Sequence, residues 1–232
     1  MKELHPIQLS ILKKLLFANT LRYTDIKPDK ELENNQFDYH LDKLIKEEFI
    51  EKNNKIYTLT NYEKEFANRM NVKTGRMKQQ AKLTTVICCV NTKAQPHEYL
   101  IYTRRKHPFY GCQGFPTEKV WFGENIEEAV LRGLKEETGL NGVPKLFAVR
   151  HYKVFTHDKK LVEDKVMYVF RFENPRGELK GNEEGEFQWV KDTKIDTYIK
   201  KPLEEFFELL TLLKKNFDGI NFKELTQVTD KF

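Results

Sequence analysis

The first seventy residues place their apolar side chains mostly at helical spacing, with one short interruption at the spacing of strands. Pro6 can occupy the first position of a helix. Two apolar stripes follow, each marking one buried helical face: Ile7, Ile11, Leu12, Leu15 and Leu16, then Phe37, Leu41, Leu44 and Ile45. The run "FIEKNNKIYTLT" has two β-like segments around Asn53 and Asn54, which tolerate the positive φ of a tight turn. "NYEKEFANRM" resumes helical spacing, so the pattern predicts helix, short helix, helix, hairpin, helix.

After Leu83 the pattern changes to β-branched and aromatic runs, which predict strands. These runs are "LTTVICCV", "EYLIYTRR", "KLFAVRHYKVF", "KVMYVFRF" and "EFQWV". Two helices interrupt them, one in "GENIEEAVLRGLKEETGL" and one from Leu203 to Lys215. Residues 71–80, "NVKTGRMKQQ", are polar and basic without an apolar period, as expected of a linker. We therefore predict an α+β chain with one domain over residues 1–70 and another over 81–232.

Composition narrows the class of protein only a little. With 232 residues, 39% of them hydrophobic, the chain can bury a core, and its net charge of +5 is too mild to indicate nucleic acid by itself. No apolar run approaches the roughly 20 residues that span a bilayer, and the N-terminus lacks the apolar segment of a signal peptide. The sequence thus predicts a cytoplasmic protein without a membrane partner. Cys88, Cys89 and Cys112 offer neither a disulfide framework nor a zinc knuckle, and the first two are expected in a strand.

The stretch from Gly123 to Leu140 is predicted to be a helix rich in carboxylates. Asn125 and Glu128 have the spacing of a capping box, and Gly139 is a natural C-terminal stop. Glu136 and Glu137 follow Arg132 by about one turn, and carboxylates so spaced supply the oxygen ligands that Mg²⁺ prefers. Without its flanking residues, however, such a pair is usually a solvated face.

The flanking residues of this helix indicate a family. "GFPTEKVWFGENIEEAVLRGLKEETGL" resembles the Nudix box, G-x5-E-x7-R-E-U-x-E-E-x-G-U, where U is a bulky aliphatic residue. The positions that match are Glu124, Arg132, Leu134, Glu136, Glu137, Gly139 and Leu140. The resemblance covers roughly residues 80 to 215, and only the box is specific. It implies a Nudix-fold α/β/α sandwich with a mixed sheet, and Mg²⁺- or Mn²⁺-assisted attack of water on a nucleoside diphosphate linked to another moiety.

The resemblance also implies roles for single residues. Glu136 and Glu137 would bind the metal and take part in catalysis, and Arg132 would orient them. Glu124 would support the loop and the metal shell.

The chain departs from the family pattern at two positions. Glu118 stands where the box has its leading glycine, and Gly133 stands where it has the glutamate after the arginine. A glycine inside a helix costs about 1 kcal/mol relative to alanine, so helix stability does not explain Gly133. Two interpretations stay open: Gly133 impairs hydrolysis, so that a Gly133→Glu change would speed it, or Glu118 replaces the lost carboxylate as a metal ligand.

Residues outside the box are candidates for substrate binding. Arg104 and Arg105 end a strand before the box and would grip phosphate, and Trp121 would stack on a nucleobase. "GNEEGEFQWV" resembles the family loop that brings a further glutamate toward the metals, here Glu183 or Glu184. Ordinary solvated or packing roles remain the alternative for each of these residues.

The N-terminal pattern has a resemblance of its own. "FDYHLDKLIKEEFIEKNNKIYTLT" resembles the winged helix-turn-helix domains of small regulators: a recognition-type helix, a tight exit, then a wing. The resemblance implies contacts with the major groove and phosphates of double-stranded DNA. The residues in position for these contacts are Gln36, Tyr39, His40, Lys43 and Lys55. Acidic residues are interspersed among them, so a surface that docks a partner or forms a homodimer is the alternative.

Three functions follow from these features. The first is a metal-dependent hydrolase of a nucleoside diphosphate linked to another moiety, with a DNA-binding-like module attached. The second is a transcription regulator whose non-hydrolysing Nudix domain senses a nucleotide such as ADP-ribose. The regulators that it resembles place the winged helix after the Nudix domain, whereas this chain has the reverse order. The third is an enzyme whose N-terminal module only forms a homodimer.

Overall fold

The computed structural model describes residues 4–61, 64–65, 69–71, 76–77, 79–215 and 219–231. Contacts divide the chain into two units, Met1–Gln79 and Gln80–Phe232. The division falls within the residues 71–80 that the sequence predicts to be a linker. Among the described helices, none is both long and apolar enough to cross a membrane.

The first unit consists of helices packed on a small sheet. Its elements are α1 (Pro6–Leu16), β1 (Leu21–Arg22), α2 (Tyr23–Ile26), α3 (Asn34–Lys46), β2 (Ile50–Asn53), β3 (Ile56–Leu59), β4 (Met70–Asn71) and β5 (Arg76–Met77). Strands β1, β3 and β2 form a sheet in that order, and β4 pairs with β5. As predicted, Pro6 opens α1, and the apolar faces of α1 and α3 meet in the core through Ile11, Leu12, Phe37 and Leu41.

The hairpin and the helix predicted after α3 have different outcomes. The hairpin forms, but its turn lies one position later than predicted, because β2 includes Asn53 and the strands are joined by Asn54 and Lys55. Asn54 has the expected positive φ, at 57°. The helix predicted in "NYEKEFANRM" falls largely on residues 62–63 and 66–68, which lie outside the described residues.

The second unit is built on one large mixed sheet. Its strands are β6 (Lys82–Asn91), β7 (Glu98–Arg104), β8 (Gln113–Gly114), β9 (Thr117–Lys119), β10 (Pro144–Phe155), β11 (Leu161–Glu173), β12 (Gly185–Lys191) and β13 (Asn221–Val228). Its helices are α4 (Ile126–Thr138), α5 (Ile195–Tyr198) and α6 (Phe206–Lys214), with a 3₁₀ turn at Asp192–Lys194. The strand order is β12-β7-β6-β11-β10-β13, and the β6–β11 and β10–β13 pairs are parallel.

Helices cover both faces of this sheet. Cys88 packs in the cluster that contains α6, whereas Cys89 packs in the cluster that contains α4, because successive residues of β6 point to opposite faces. The predicted mixed sheet between helices is therefore confirmed, as is the placement of both cysteines in a strand. The sequence did not predict β13, which adds an edge strand beside β10.

Strands β6 and β7 separate where the site lies. They pair only at Val90–Tyr99 and Asn91–Glu98. Beyond those pairs, β9 hydrogen-bonds to β6 and β8 hydrogen-bonds to β7. The strands therefore diverge, and residues of both line the cavity described below.

A buried arginine joins β10 to α6 and β13. Arg150 is fully buried, and its guanidinium donates to both carboxylate oxygens of Glu208 at 2.9 and 3.0 Å. It also donates to the backbone and side-chain oxygens of Asn221 at 2.7 and 2.9 Å and to the Val149 carbonyl at 2.9 Å. These five hydrogen bonds use the full donor capacity of the guanidinium.

A histidine joins the same edge of the sheet from the surface. Nδ1 of His151 lies 2.9 Å from Glu224 on β13, and Nε2 lies 2.9 Å from Asp164 on β11. The hydrogen bonds with Glu224 and then with Asp164 raise the pKa of His151 above its ordinary value. When protonated, the imidazole links three strands through charge-assisted hydrogen bonds.

Candidate active site

The acidic helix α4 has the predicted caps. Asn125 and Glu128 form the reciprocal capping box, and Gly139 ends the helix with a φ of 74°. Ala129, Val130 and Leu134 are buried against the sheet, which leaves the arginine and the glutamates on another face. The local sequence thus fixes both the length of α4 and the face that it presents to the site.

A cavity of about 530 Å³ lies beside this face of α4. Six carboxylates line it. Four lie toward α4, namely Glu118 on β9, Glu136 and Glu137 on α4, and Glu184 before β12, and the other two are Glu163 and Glu205. Basic side chains line it too, namely Arg104, Lys106, Lys119, Lys82, Lys165 and Arg132. A cavity with both kinds of charge can hold an anionic ligand together with cations.

Arg132 organises the acidic side of the cavity. Its guanidinium lies 2.7 Å from Glu124, 3.2 Å from Glu136 and 3.3 Å from Glu118. It also stacks against Trp121, 3.9 Å from the ring centroid. The hydrogen bond with Glu124 is the main reason that the pKa of Arg132 is raised, so the side chain stays charged. One cation therefore holds three carboxylates and one aromatic ring in place.

Glu124 is fully engaged by these contacts. Arg132 donates to both of its carboxylate oxygens, at 2.7 and 3.0 Å, and the Trp121 backbone N–H donates at 3.0 Å. The bond with Arg132 lowers the pKa of Glu124. Glu124 is not one of the residues that line the cavity. It therefore anchors the loop before α4, and metal binding by this residue stays a prediction.

Glu137 is half-buried and held from the opposite side by Asn182. Nδ2 of Asn182 donates to Oε2 of Glu137 at 2.8 Å, and Oδ1 of Asn182 accepts the backbone N–H of Glu184 at 2.9 Å. Burial raises the pKa of Glu137, and the charges of Glu184 and Glu118 raise it further. Asn182 was not predicted as a site residue, because its only signal in the sequence is its position just before the acidic pair of the loop.

The two departures from the box meet in space. A Cβ atom on Gly133 would lie 2.6 Å from Cβ and 2.9 Å from Cγ of Glu118, closer than non-bonded carbons approach. The Glu118 side chain is 16% exposed and reaches Arg132 across this glycine. The absence of a side chain at position 133 is therefore what makes room for the carboxylate of Glu118.

The predicted phosphate-binding arginines are placed differently from each other. Arg104 lines the cavity, and its Nε donates to the Pro108 carbonyl at 2.6 Å. Arg105 is not among the lining residues and forms an ion pair with Glu186. Lys106 lines the cavity in its place, as a pair with Glu184.

Of the other two substrate-binding candidates, Trp121 and Glu183, only Trp121 lines the cavity. Trp121 lines the cavity and is 58% exposed, although one ring face is covered by Arg132. Glu183 is exposed and does not line the cavity, whereas Glu184 does. Of the two glutamates that the loop offered, the structure therefore brings Glu184 to the acidic cluster.

The acidic side chains fit a hard divalent cation in type and number, since Mg²⁺ and Mn²⁺ prefer carboxylate oxygens. The charges of Glu118 and Glu184 already raise the pKa of Glu137, and a cation would relieve this repulsion. Within the described ranges, no three acidic, histidine or cysteine side chains converge closely enough to enclose an ion. These carboxylates would have to move together to bind one.

In the first unit, one DNA-binding candidate departs from expectation. Gln36, Tyr39 and Lys55 are exposed, and Lys43 is partly exposed. His40 is only 8% exposed and stacks on His5 at 4.2 Å. Burial lowers the pKa of His40, which favours the neutral imidazole. His40 therefore packs inside the unit instead of presenting its ring to a groove, and we remove it from the proposed contacts.

Comparisons with known proteins identify the domain family of the second unit. The NUDIX domain model matches residues 82–210, which is more than half of the chain. An ADP-ribose pyrophosphatase of Methanocaldococcus jannaschii is 33% identical over 92 residues, covering 40% of this chain and 53% of that protein. The chain thus spans about half the length of this curated relative.

Two solved structures have a similar fold. A MutT protein from Bacillus halodurans superposes with a TM-score of 0.53 and 22% identity, covering 65% of this chain and 93% of that one. The NUDIX domain of Shewanella oneidensis NrtR, complexed with ADP ribose, superposes with a TM-score of 0.50 and 16% identity, covering 68% of this chain and 99% of that one. At these identities the likeness concerns the fold alone.

Proposed function

Because the chain belongs to the NUDIX domain family, we propose that its second unit hydrolyses the phosphoanhydride of a nucleoside diphosphate linked to another moiety. The observation that carries this proposal is that Glu118 and Glu136, both held by Arg132, line the same cavity as Glu137, which Asn182 holds. ADP-ribose is the first substrate to test, because the curated relative is an ADP-ribose pyrophosphatase.

Each residue of the cluster has a role in this proposal. Glu118, Glu136 and Glu137 would hold Mg²⁺ or Mn²⁺, which supplies positive charge to the phosphoanhydride and lowers the pKa of a bound water. Arg132 orients Glu136 and Glu118 through its hydrogen bonds and ion pairs, and Asn182 fixes Glu137 through its amide. Such supporting hydrogen bonds keep ligands in the productive orientation.

The other cavity-lining side chains would act on the substrate. Arg104 and Lys106 would contact phosphate oxygens, and the open face of Trp121 would stack on an aromatic group of the ligand. Arg105 and Glu183 are placed outside the cavity wall, so a role for either would require the loops that carry them to close on the substrate.

Glu118 is proposed to supply the carboxylate that the box lacks at Gly133. Its Cβ and Cγ lie directly over the glycine, and its charge acts on Glu137. A glutamate at position 133 would occupy the space of the Glu118 side chain. The expectation that Gly133→Glu alone speeds hydrolysis is therefore revised: we expect this variant to be slower than wild type, because it displaces Glu118.

The test is hydrolysis of ADP-ribose, NADH, nucleotide sugars and oxidised nucleoside triphosphates with Mg²⁺ or Mn²⁺. Glu137→Gln and Glu118→Gln should each reduce kcat by about 100-fold, since loss of a metal ligand removes several kcal/mol and 1.36 kcal/mol is tenfold. Glu127→Gln is the matched control, because Glu127 is exposed on the same helix and does not line the cavity. Hydrolysis that is insensitive to Glu137→Gln, or no hydrolysis of any of these compounds, would contradict the proposal.

The proposal that Glu118 replaces the glutamate missing at position 133 is tested with the double variant Glu118→Gly/Gly133→Glu, which restores the family pattern at both positions. We expect this double variant to recover at least a tenth of wild-type kcat, whereas each single change loses more. Mn²⁺ affinity measured by electron paramagnetic resonance should follow the same order. If Glu118→Gly leaves Mn²⁺ affinity unchanged, Glu118 is not a ligand.

We also propose a second function, which rests on reading the first unit, with its α1-β1-α2-α3-β2-β3 order, as a winged helix. Here the protein would be a transcription regulator in which α3 contacts double-stranded DNA and the second unit senses a nucleotide. Selection of bound sequences from random DNA, with and without ADP-ribose, tests it. Tyr39→Ala and Lys55→Glu should weaken binding, and sedimentation would show whether the protein is a homodimer. Wild-type protein that retains no DNA would refute this function.

A further inference from the structure

The same cavity contains a second group of charged residues that the proposed chemistry does not use. Glu163 and Lys165 lie on β11, Lys82 lies beside them on β6, and Glu205 immediately precedes α6. Nζ of Lys82 is 2.9 Å and Nζ of Lys165 is 3.2 Å from the two carboxylate oxygens of Glu163. This carboxylate is therefore paired with two cations.

Glu205 has no comparable partner. It is only 5% exposed, and its nearest described cation, Nζ of Lys165, is 3.9 Å away, which is beyond hydrogen-bonding distance. No hydrogen bond to its carboxylate is present in the described part of the chain, although the residue lines the cavity. A buried carboxylate is costly unless it accepts hydrogen bonds, so this one has acceptor capacity for a ligand.

Lys165 has donor capacity beside it. An ammonium has three donors, and Glu163 accounts for one of them. Burial would lower the pKa of Lys165, but Glu205 and Glu163 raise it above its ordinary value, so the ammonium stays charged. A buried acceptor and a largely buried donor, 14% exposed, therefore lie at the cavity about 4 Å apart.

The chemistry of this group excludes phosphate as its ligand. Lys82 and Lys165 carry two positive charges, and Glu163 and Glu205 carry two negative charges, so the group is formally neutral. An additional anion would gain little attraction there and would be repelled by the Glu205 carboxylate, which accepts no hydrogen bond in the described part of the chain. The neighbouring walls are apolar and partly aromatic, and they comprise Pro108, Phe109, Phe115 and Leu203.

We propose that this group, together with the apolar walls, binds the nucleobase of the substrate. A purine that carries an N–H donor beside an acceptor on its hydrogen-bonding edge would donate to Glu205 and accept from Lys165. Adenine offers its amino group next to a ring nitrogen, and guanine offers two N–H groups next to a carbonyl. This assignment rests on the proposed function, because it takes the substrate to be a nucleotide.

The test measures binding without turnover, because nucleoside monophosphates have no phosphoanhydride to hydrolyse. Calorimetric affinities of AMP, GMP, UMP, ribose 5-phosphate and purine riboside 5′-monophosphate are compared. The last compound keeps the purine ring but has no N–H on the relevant edge. We expect AMP or GMP to bind at least about tenfold more tightly than purine riboside monophosphate, because a buried polar site rejects analogues that leave it unpaired.

Glu205→Met should reduce the ratio of the affinities, that of AMP or GMP to that of purine riboside monophosphate, to about one. Glu204→Gln is the control, because Glu204 is the neighbouring carboxylate but is paired with Lys231 and Thr229 and does not line the cavity. If Glu205→Met unfolds the protein, Glu205→Gln and Lys165→Gln replace it, and each should lower the ratio at least threefold.

Several outcomes would overturn the assignment. These are an unchanged ratio in the Glu205 variants, equal binding of ribose 5-phosphate and the nucleotides, and no binding of any nucleotide. If these results appear while ADP-ribose or another phosphoanhydride is still hydrolysed in a Glu137-dependent manner, only the base assignment fails. If hydrolysis is absent but AMP or GMP is selected through Glu205, only the proposed function fails.

Discussion

The contact between Gly133 and Glu118 predicts that one substitution has opposite effects on stability in two backgrounds. In an exposed helix, Gly→Ala stabilises by about 1 kcal/mol. In wild type the added Cβ would lie 2.6 Å from Cβ of Glu118, an atom fixed by the β9 backbone. Relief requires β9 to shift, and such overpacking typically costs about 1–3 kcal/mol.

Gly133→Ala should therefore destabilise wild type by up to about 2 kcal/mol, but should stabilise the Glu118→Gly variant by about 1 kcal/mol. The next nearest atom is Cδ1 of Ile87 at 3.2 Å, the end of a side chain that can adjust. The double-mutant cycle of Gly133→Ala and Glu118→Gly should therefore have a coupling energy of about 1–3 kcal/mol, within the range known for residues in contact.

The assay is urea unfolding followed by tryptophan fluorescence. Both tryptophans of the chain, Trp121 and Trp189, lie in the second unit, so the signal reports the unit under test. Glu127→Gly, at an exposed position of α4, is the control and should cost about 1 kcal/mol in both backgrounds. The reasoning is refuted if Gly133→Ala stabilises wild type as much as it stabilises Glu118→Gly.

Three further predictions concern contacts that support the sheet and the site. Arg150→Met should destabilise the second unit by about 1–3 kcal/mol in urea unfolding, because it removes the donors to the carbonyls of Val149 and Asn221, whereas Glu208 is 31% exposed and keeps Lys223 nearby; an unchanged stability would contradict this. His151→Asn should lower Tm at pH 5.5 but hardly at pH 9. The pKa of His151 is higher in the folded than in the unfolded protein, so its contribution to stability is present below the unfolded-state pKa and is lost as the pH rises through the folded-state pKa. An equal change in Tm at both pH values would contradict this prediction. Asn182→Ala should reduce Mn²⁺ affinity about 10- to 100-fold by releasing Glu137, and unchanged affinity would remove Asn182 from the site.

The parts of the fold that were predicted correctly are those specified by neighbouring residues. The caps of α4 at Asn125 and Gly139 and the strand that contains Cys88 and Cys89 needed no distant contact to be recognised. Strand β13 was missed because it is an edge strand whose residues are mostly exposed and whose parallel partner β10 is distant in the chain. Its short polar pattern has no strong period without that partner.

His40 shows a different kind of error. It lies three residues after Phe37 and four before Leu44, so helical spacing alone places it on the buried face of α3. The assignment to DNA followed from its residue type and set that spacing aside. Its stacking on His5 depends on α1, which no pattern within α3 could indicate.

The sequence predicted which site residues lie close together only where the box is contiguous. Glu136, Glu137 and Arg132 share one helix, so their proximity follows from the sequence alone. Lys165 and Glu205 are forty residues apart and meet only because β11 and the start of α6 share one face of the sheet. Charged residues in a strand and before a helix are usually solvated, so nothing local distinguishes these two.

The exchange at positions 118 and 133 has a different meaning once the two residues are seen in contact. Considered singly, Glu118 is a bulky residue in place of a glycine, and Gly133 is a missing carboxylate. In the fold they occupy one volume, because β9 passes directly over α4 at this point. That volume accommodates one glutamate side chain, from either element, and it contains one here. The exchange therefore leaves one glutamate side chain in this volume, and what changes is the element that supplies it: a strand, whose backbone is held by β6, in place of a helix.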